Sequence, residues 1–139
     1  MQYLTLLAIV SCLCSIVLGS TQRAAVKGQV FCPSDPSKAV GIKVKLVDED
    51  TGPNPDDLMA ESVTDPDGFF DLSGEAGDWG TNIDPWVKIY HDCNDGMTPC
   101  QRKWKLKVPK NLYINKGVMN LGSMNLEMIM DDEERDCFH

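Results

Sequence analysis

DPWVKIYHDCNDGMTPCQRKW, residues 84–104, is the stretch on which the fold turns. Trp86 to His91 alternates as a strand does, with Val87, Ile89 and His91 pointing one way and Trp86, Lys88 and Tyr90 the other. A second alternation begins at Lys103, placing Trp104, Leu106 and Val108 inward and Lys103, Lys105 and Lys107 outward. Asp95-Gly96 and Pro99 lie between, where glycine tolerates positive φ and proline fixes φ near its turn value. The stretch therefore reads as a β-hairpin with one cysteine at each shoulder, Cys93 and Cys100.

The chain on either side repeats this texture. Ala25 to Cys32 reads as a strand with Val26, Val30 and Cys32 on one face and Lys27, Gln29 and Phe31 on the other. Ile42 to Val47 alternates with Lys43 and Lys45 outward. Asp48 to Asp57 is an acidic loop in which Asn54 caps a single helical turn that starts at Pro55. Met59 to Thr64 and Phe69 to Leu72 form a hairpin around Asp65-Pro66-Asp67-Gly68, and Ser73 to Asn82 is a Gly-rich loop. Asn111 to Ile114 adds a short strand. Met124, Leu126, Met128 and Met130 line one face of a last strand, and Asp131 to Asp136 is a charged run. Seven or eight short strands without a long amphipathic helix predict an all-β sandwich.

Residues 1–19 stand apart. Leu4 to Leu18 is an uncharged apolar run closed by small Gly19 and Ser20, which reads as a secretory signal peptide cleaved after Gly19 or Ser20 rather than as a retained anchor. The domain is then residues 20–139, about 120 residues, enough to bury roughly two-thirds of the unfolded surface in one core. No second long apolar stretch follows, so no transmembrane segment is expected. A net charge of −8 removes nucleic acid from the expected partners, because a basic footprint is the first requirement for it. Cys32, Cys93, Cys100 and Cys137 remain after the leader, an even number that predicts two disulfides in one of three connectivities. Loop-closure entropy does not choose: roughly 8 kcal/mol for 32–93 with 100–137 and roughly 7 kcal/mol for 32–137 with 93–100 are too close to separate.

VKLVDEDTGPNPDDL (44–58), TDPDGFFDLSG (64–74), NIDPWVKIYHDCND (82–95), CQRKWKLKVP (100–109) and MNLEMIMDDEERDC (124–137) together resemble the nematode transthyretin-like family, in order and over most of the chain. The resemblance implies a transthyretin-like seven-stranded sandwich, secretion, a nematode source, and pairing of Cys32 with Cys93 and Cys100 with Cys137. A related branch of this fold hydrolyses 5-hydroxyisourate with histidines and an arginine on inner strands and ends in Tyr-Arg-Gly-Ser. Beyond the leader this chain has only His91 and His139 and ends Asp136-Cys137-Phe138-His139, so that constellation does not assemble and no enzyme is expected. The hormone channel of transthyretin itself does not transfer with the fold.

What remains is a surface. In transthyretin strand order, Lys43, Lys45, Trp86, Lys88, Tyr90, Lys103, Lys105 and Lys107 fall on neighbouring strands of one sheet and form a basic, aromatic-bearing face. Such a face suits a protein partner or an anionic lipid head group; the plainer reading is that lysines protect exposed strands from unwanted pairing. On the binding reading, changing Lys43, Lys45, Lys103 and Lys105 to Glu abolishes binding and spares the melting temperature. No metal or other cofactor is expected: oxidised thiols are poor ligands, and Asp48, Glu49, Asp50, Asp56 and Asp57 lack the spacing of a calcium loop and read as solvated. The function that follows is an extracellular binding protein without catalysis. One alternative is an effector that a parasite secretes into its host, there to bind a host protein and modulate defence. The other is a bridge from anionic lipid to a receptor.

Overall fold

In a computed structural model, residues 21–50, 52–53, 55–77 and 82–139 are described; the leader, Asn54 with its expected cap, and the 78–81 part of the expected loop lie outside them. The strands are β1 (Gln22–Phe31), β2 (Lys43–Asp48), β3 (Asp57–Val63), β4 (Phe69–Ala76), β5 (Pro85–His91), β6 (Gln101–Lys107), β7 (Val118–Asn125) and β8 (Glu134–Asp136). They form a sandwich of a three-stranded sheet, β4-β1-β7, and a five-stranded sheet, β3-β2-β5-β6-β8. All neighbours pair antiparallel except β1 and β7, which run parallel. No helix among the described residues is long and apolar enough to cross a membrane.

The core follows the alternation. Val26 and Val30 of β1 and Phe70 and Leu72 of β4 face Val44 and Leu46 of β2, Val87 and Ile89 of β5 and Trp104 of β6, all almost fully buried. β-branched residues suit these positions because their stiff side chains pack on a pleated surface. Cys32 and Cys93, both buried, bridge the end of β1 to the end of β5 and so join the two sheets through the core. Cys100 and Cys137 bond the start of β6 to the residue after β8, at the surface.

The departures from the sequence reading lie at strand ends and after β6. β4 continues through residues 73–76 because these pair with residues 22–25 of β1. Residues 110–113 form a helical turn instead of a strand, with the Tyr113 and Ile114 amides donating to the carbonyls of Pro109 and Lys110. The last long strand is Val118–Asn125, earlier than the alternation over 124–130 suggests. It ends at a turn in which Asn125 accepts the amides of Glu127 and Met128. Met128 is exposed, outside the core, and the charged run holds the short strand β8.

The turn at 65–68 is set by close backbone approach. Asp65 accepts the amides of Asp67 and Phe69 through Oδ1, and the Val30 amide of β1 donates to the Gly68 carbonyl at 2.9 Å. Gly68 has φ +79°, and a Cβ there would lie 2.1 Å from the Val30 oxygen. Gly96 has φ +58° with open space around it. Gly96→Ala therefore reads backbone strain alone and is expected to cost about 1 kcal/mol. Gly68→Ala adds a clash with backbone and should cost about 3 kcal/mol in urea unfolding; equal losses at the two sites would remove the close-approach account.

Candidate functional site

The outward side chains of β2, β5 and β6 lie in register and form rows across the sheet. Lys45 stands opposite Lys88, and Lys88 opposite Lys105. Tyr90 stands between Lys43 and Lys103, and Trp86 stands opposite Lys107. The structure thus places all eight residues expected from the sequence on one face. Three like charges directly opposite one another destabilise a sheet, so this arrangement requires carboxylates.

Those carboxylates come largely from segments without periodicity. The segment between β2 and β3 sends Asp56 to Lys88 and Glu49 to Lys105, the latter at 2.6 Å. Glu61 of β3 lies 3.7 Å from Lys43 and 3.8 Å from Lys45; Glu134 and Asp136 of β8 lie 2.7 and 3.8 Å from Lys103; Asp84 lies 3.2 Å from Lys107. Six lysines thus meet six carboxylates. The face is charge-balanced, which corrects the expectation of a basic surface, and the expected solvated loop is corrected with it. Asp48 is buried and accepts the Asp84 amide, while Glu49 and Asp56 reach back onto the sheet.

The pairing shows in the proton affinities. The hydrogen bond from Lys105 to Glu49 raises the ammonium above its ordinary value, and the bond from Lys103 holds Glu134 below the usual carboxylate range. At Asp84 burial pushes the carboxyl up, but Lys110, Trp86 and Lys107 outweigh it and the net shift is downward. The Trp86 ring lies under two ammonium groups, Lys105 at 4.9 Å and Lys107 at 5.0 Å from its centre. Tyr90, outward by register, is only 3% exposed because the His139 ring stacks on it at 4.0 Å. Burial and the surrounding carboxylates push its hydroxyl up to about 12.

Behind the face, at the β5–β6 end, is a buried polar group whose carboxylate, Glu133, lies outside any strand and is not revealed by parity. Arg102, inward on β6 at the parity of Trp104, is 4% exposed. It donates to Glu133 through Nε at 2.6 Å and through Nη2 at 2.8 Å, and to the carbonyls of Cys93, Leu126 and Met128. Trp104 Nε1 donates to the same Glu133 at 2.8 Å. Burial pushes the Glu133 carboxyl up, yet these donors outweigh it and leave the group below the usual range. The signal for this group in the sequence is an arginine at the parity of a core tryptophan.

His91 is 0% exposed, edge-on to Trp104 at 5.2 Å, and accepts the Cys93 amide through Nδ1. Among the described residues its Nε2 has no hydrogen-bond partner. The three-member group of metal-capable side chains among the described residues, Cys32, Cys93 and Glu127, includes both sulfurs of a disulfide, which offers no thiolate to a metal ion.

The transthyretin-like family model matches residues 27–109, from within β1 to just past β6. The chain is also 46% identical over 128 residues to transthyretin-like protein 5 of Caenorhabditis elegans, covering 88% of this chain and 89% of that protein. The chain belongs to the transthyretin-like family. Transthyretin-like protein 33 of the same nematode is 44% identical over 123 residues, 86% of this chain and 84% of that protein. All eight residues of the face fall within the span matched by the family model, whereas Glu134, Asp136 and His139, which neutralise or cover part of it, fall outside.

Two measurements follow. Asp56→Asn leaves Lys88 between two lysines and should cost about 1–2 kcal/mol. Asp57→Asn, at an exposed position with no ion pair to a lysine of the face, should cost less than about 0.5 kcal/mol; equal losses in urea unfolding would mean that the lysine row needs no counter-charge. For the same reason, reversing Lys43, Lys45, Lys103 and Lys105 to Glu is expected to lower the melting temperature, contrary to the sequence expectation. The second measurement concerns pH. Burial, with the Arg102 charge, lowers His91 from 6.5 to about 4. Between these values the unfolded chain takes a proton that the folded chain refuses, so the buried neutral His91 costs nothing above pH 6.5 and costs progressively more stability as pH drops toward 4. His91→Gln should remove up to about 3 kcal/mol of that pH-dependence; an unchanged stability–pH slope in this window would place the dependence elsewhere.

Proposed function

We propose that this transthyretin-like protein works outside the cell that makes it as a non-catalytic binding protein, and that the outer face of β2, β5 and β6 contacts a protein partner. The observation that carries this reading is the charge-balanced ladder around Trp86. Interfaces are enriched in aromatic residues, and arrays of alternating charge set register and partner choice more than raw affinity. A face in which every lysine already has a carboxylate suits a protein that presents its own alternating charges. It suits an anionic bilayer poorly, since each lysine contributes about 1 kcal/mol there only as an uncompensated cation. Two disulfides support an extracellular setting, because such bonds persist where the surroundings are oxidising.

The absence of catalysis in this proposal rests on His91. A general base needs access to its substrate and a proton affinity near the working pH. His91 has neither, being sealed in the core with its proton affinity pushed down to about 4.

The test is capture from tissue extract with the oxidised protein, beside vesicles rich in phosphatidylserine, at roughly physiological salt. Native protein and Trp86→Ala, matched for folding, are compared. The expected result is a protein retained by the native chain, lost at least tenfold with Trp86→Ala, and no vesicle co-sedimentation. Capture indifferent to Trp86, or vesicle binding, would overturn the protein-partner reading, and the second outcome would support the lipid bridge.

A further inference from the structure

Residues 134–139 occupy the sheet as a bound peptide would. Glu134–Asp136 add a strand to the β6 edge through residues 101–103. The two side chains at alternate positions, Glu134 and Asp136, both lie on Lys103, at 2.7 and 3.8 Å. The His139 ring stacks on Tyr90 at an interplanar angle of 11°, and the His139 main-chain oxygen accepts from Lys43 at 3.1 Å. Arg135 reaches the other way and donates to Asp95 at 2.9 Å. Main-chain pairing along an edge and alternate side chains in specific contacts are the elements of peptide recognition by strand addition, and here a ring stacked on an aromatic platform joins them.

Only three residues form this strand, too few to hold the edge by main-chain bonds alone. Ion pairs on Lys103 and between Arg135 and Asp95 add to that pairing, and the Cys100–Cys137 bond ties the segment down covalently; here the two disulfides differ. Cys32 and Cys93 are sealed in the core, whereas Cys137 is exposed and Cys100 partly so. A thiol reductant therefore reaches the second bond first. Two thiols reduce it by thiolate attack: the protein disulfide gains two electrons and two protons to give Cys100 and Cys137 thiols, and the reductant leaves as its own disulfide.

We infer that the strip formed by the β6 edge, Lys103, Lys43 and Tyr90 is a binding site for an extended acidic peptide carrying a ring. The chain's own residues 134–139 close it while Cys100 and Cys137 are bonded. This inference rests on the protein-partner reading and adds to it: with the bond intact the partner meets the outer face around Trp86, and once the bond is cut an acidic segment of that partner also adds to the β6 edge. The covalent tie keeps the internal segment at a high effective concentration, so a partner competes for the edge only when the tie is cut.

The probe is a fluorescent synthetic peptide of residues 134–139 with Cys137→Ser. It is titrated by anisotropy into three proteins: the oxidised chain, the full chain with Cys100→Ser and Cys137→Ser, and a chain ending at Glu133 with Cys100→Ser, which keeps the Glu133 that Arg102 requires. The peptide should bind the shortened chain at least tenfold more tightly than the oxidised chain, with the double-serine chain between them. A peptide with Glu134→Lys and Asp136→Lys should bind the shortened chain at least tenfold more weakly. Equal binding to all three proteins, or indifference to the charge reversal, overturns the inference. Should the shortened chain not fold, the comparison of the double-serine and oxidised chains decides alone, and equality again overturns it. Neither result depends on the extract, so a failed capture and a failed strand exchange are separate findings.

Discussion

The buried fork between Arg102 and Glu133 is the constraint on which the end of the sandwich depends. One guanidinium answers a carboxylate and three carbonyls, those of Cys93, Leu126 and Met128. These acceptors belong to the β5–β6 connection and to the segment that carries the chain from β7 in one sheet to β8 in the other. Neither segment has a ladder to satisfy its backbone at this point, and buried carbonyls left unpaired are costly. Removing one member of such a pair typically costs about 3–5 kcal/mol, because the partner charge is left buried and uncompensated. Arg102 therefore does here what a strand does elsewhere. It also fixes the level at which Trp104 meets Glu133 and His91, and so shapes the floor beneath the outer face.

That constraint explains where the sequence is legible. β1, β2, β5 and β6 alternate over the stretches that face the core, and their inward and outward residues are those read from parity, down to the buried His91. β7 hides because its partly buried apolar residues fall at 119, 121 and 124. Gly122 takes φ +68° and the β1–β7 register shifts between Lys27 and Gln29, so the period of two breaks in mid-strand. The run Met124, Leu126, Met128 and Met130 alternates in letters only. Leu126 enters the core, whereas the Met128 carbonyl is turned to Arg102. Strands at sheet margins are equally hard to see, since residues 73–76 and 134–136 are held by pairing and charge rather than by apolar burial.

The candidate face divides along the same line. Its cations sit on strands, where period two places them, and so all eight residues can be found from parity. Its anions sit mostly on connections and on a three-residue strand, where no period exists. A charge of −8 spread over the whole chain gives no hint that this one face is balanced. Sequence reasoning thus locates the surface and mistakes its sign, because parity reports direction while neutrality depends on which loops fold back.

Lysines on β6 also bear on the edge. β8 pairs only with residues 101–103, leaving residues 104–107 without a strand partner on that side among the described residues. Lysine is a common guard for such an edge, since pairing with another chain would bury its ammonium. Guarding alone, however, calls for free cations, and Lys103 and Lys105 are bound to carboxylates in positions that orient them across the sheet. A lysine held by Glu49 cannot swing out to repel an approaching strand as a free one can, and its counter-ion weakens the field it presents. The ladder therefore gives up part of its protection against pairing and gains a rigid, patterned surface. That exchange is intelligible for a face selected to be met by another molecule, and less so for one that only has to stay soluble.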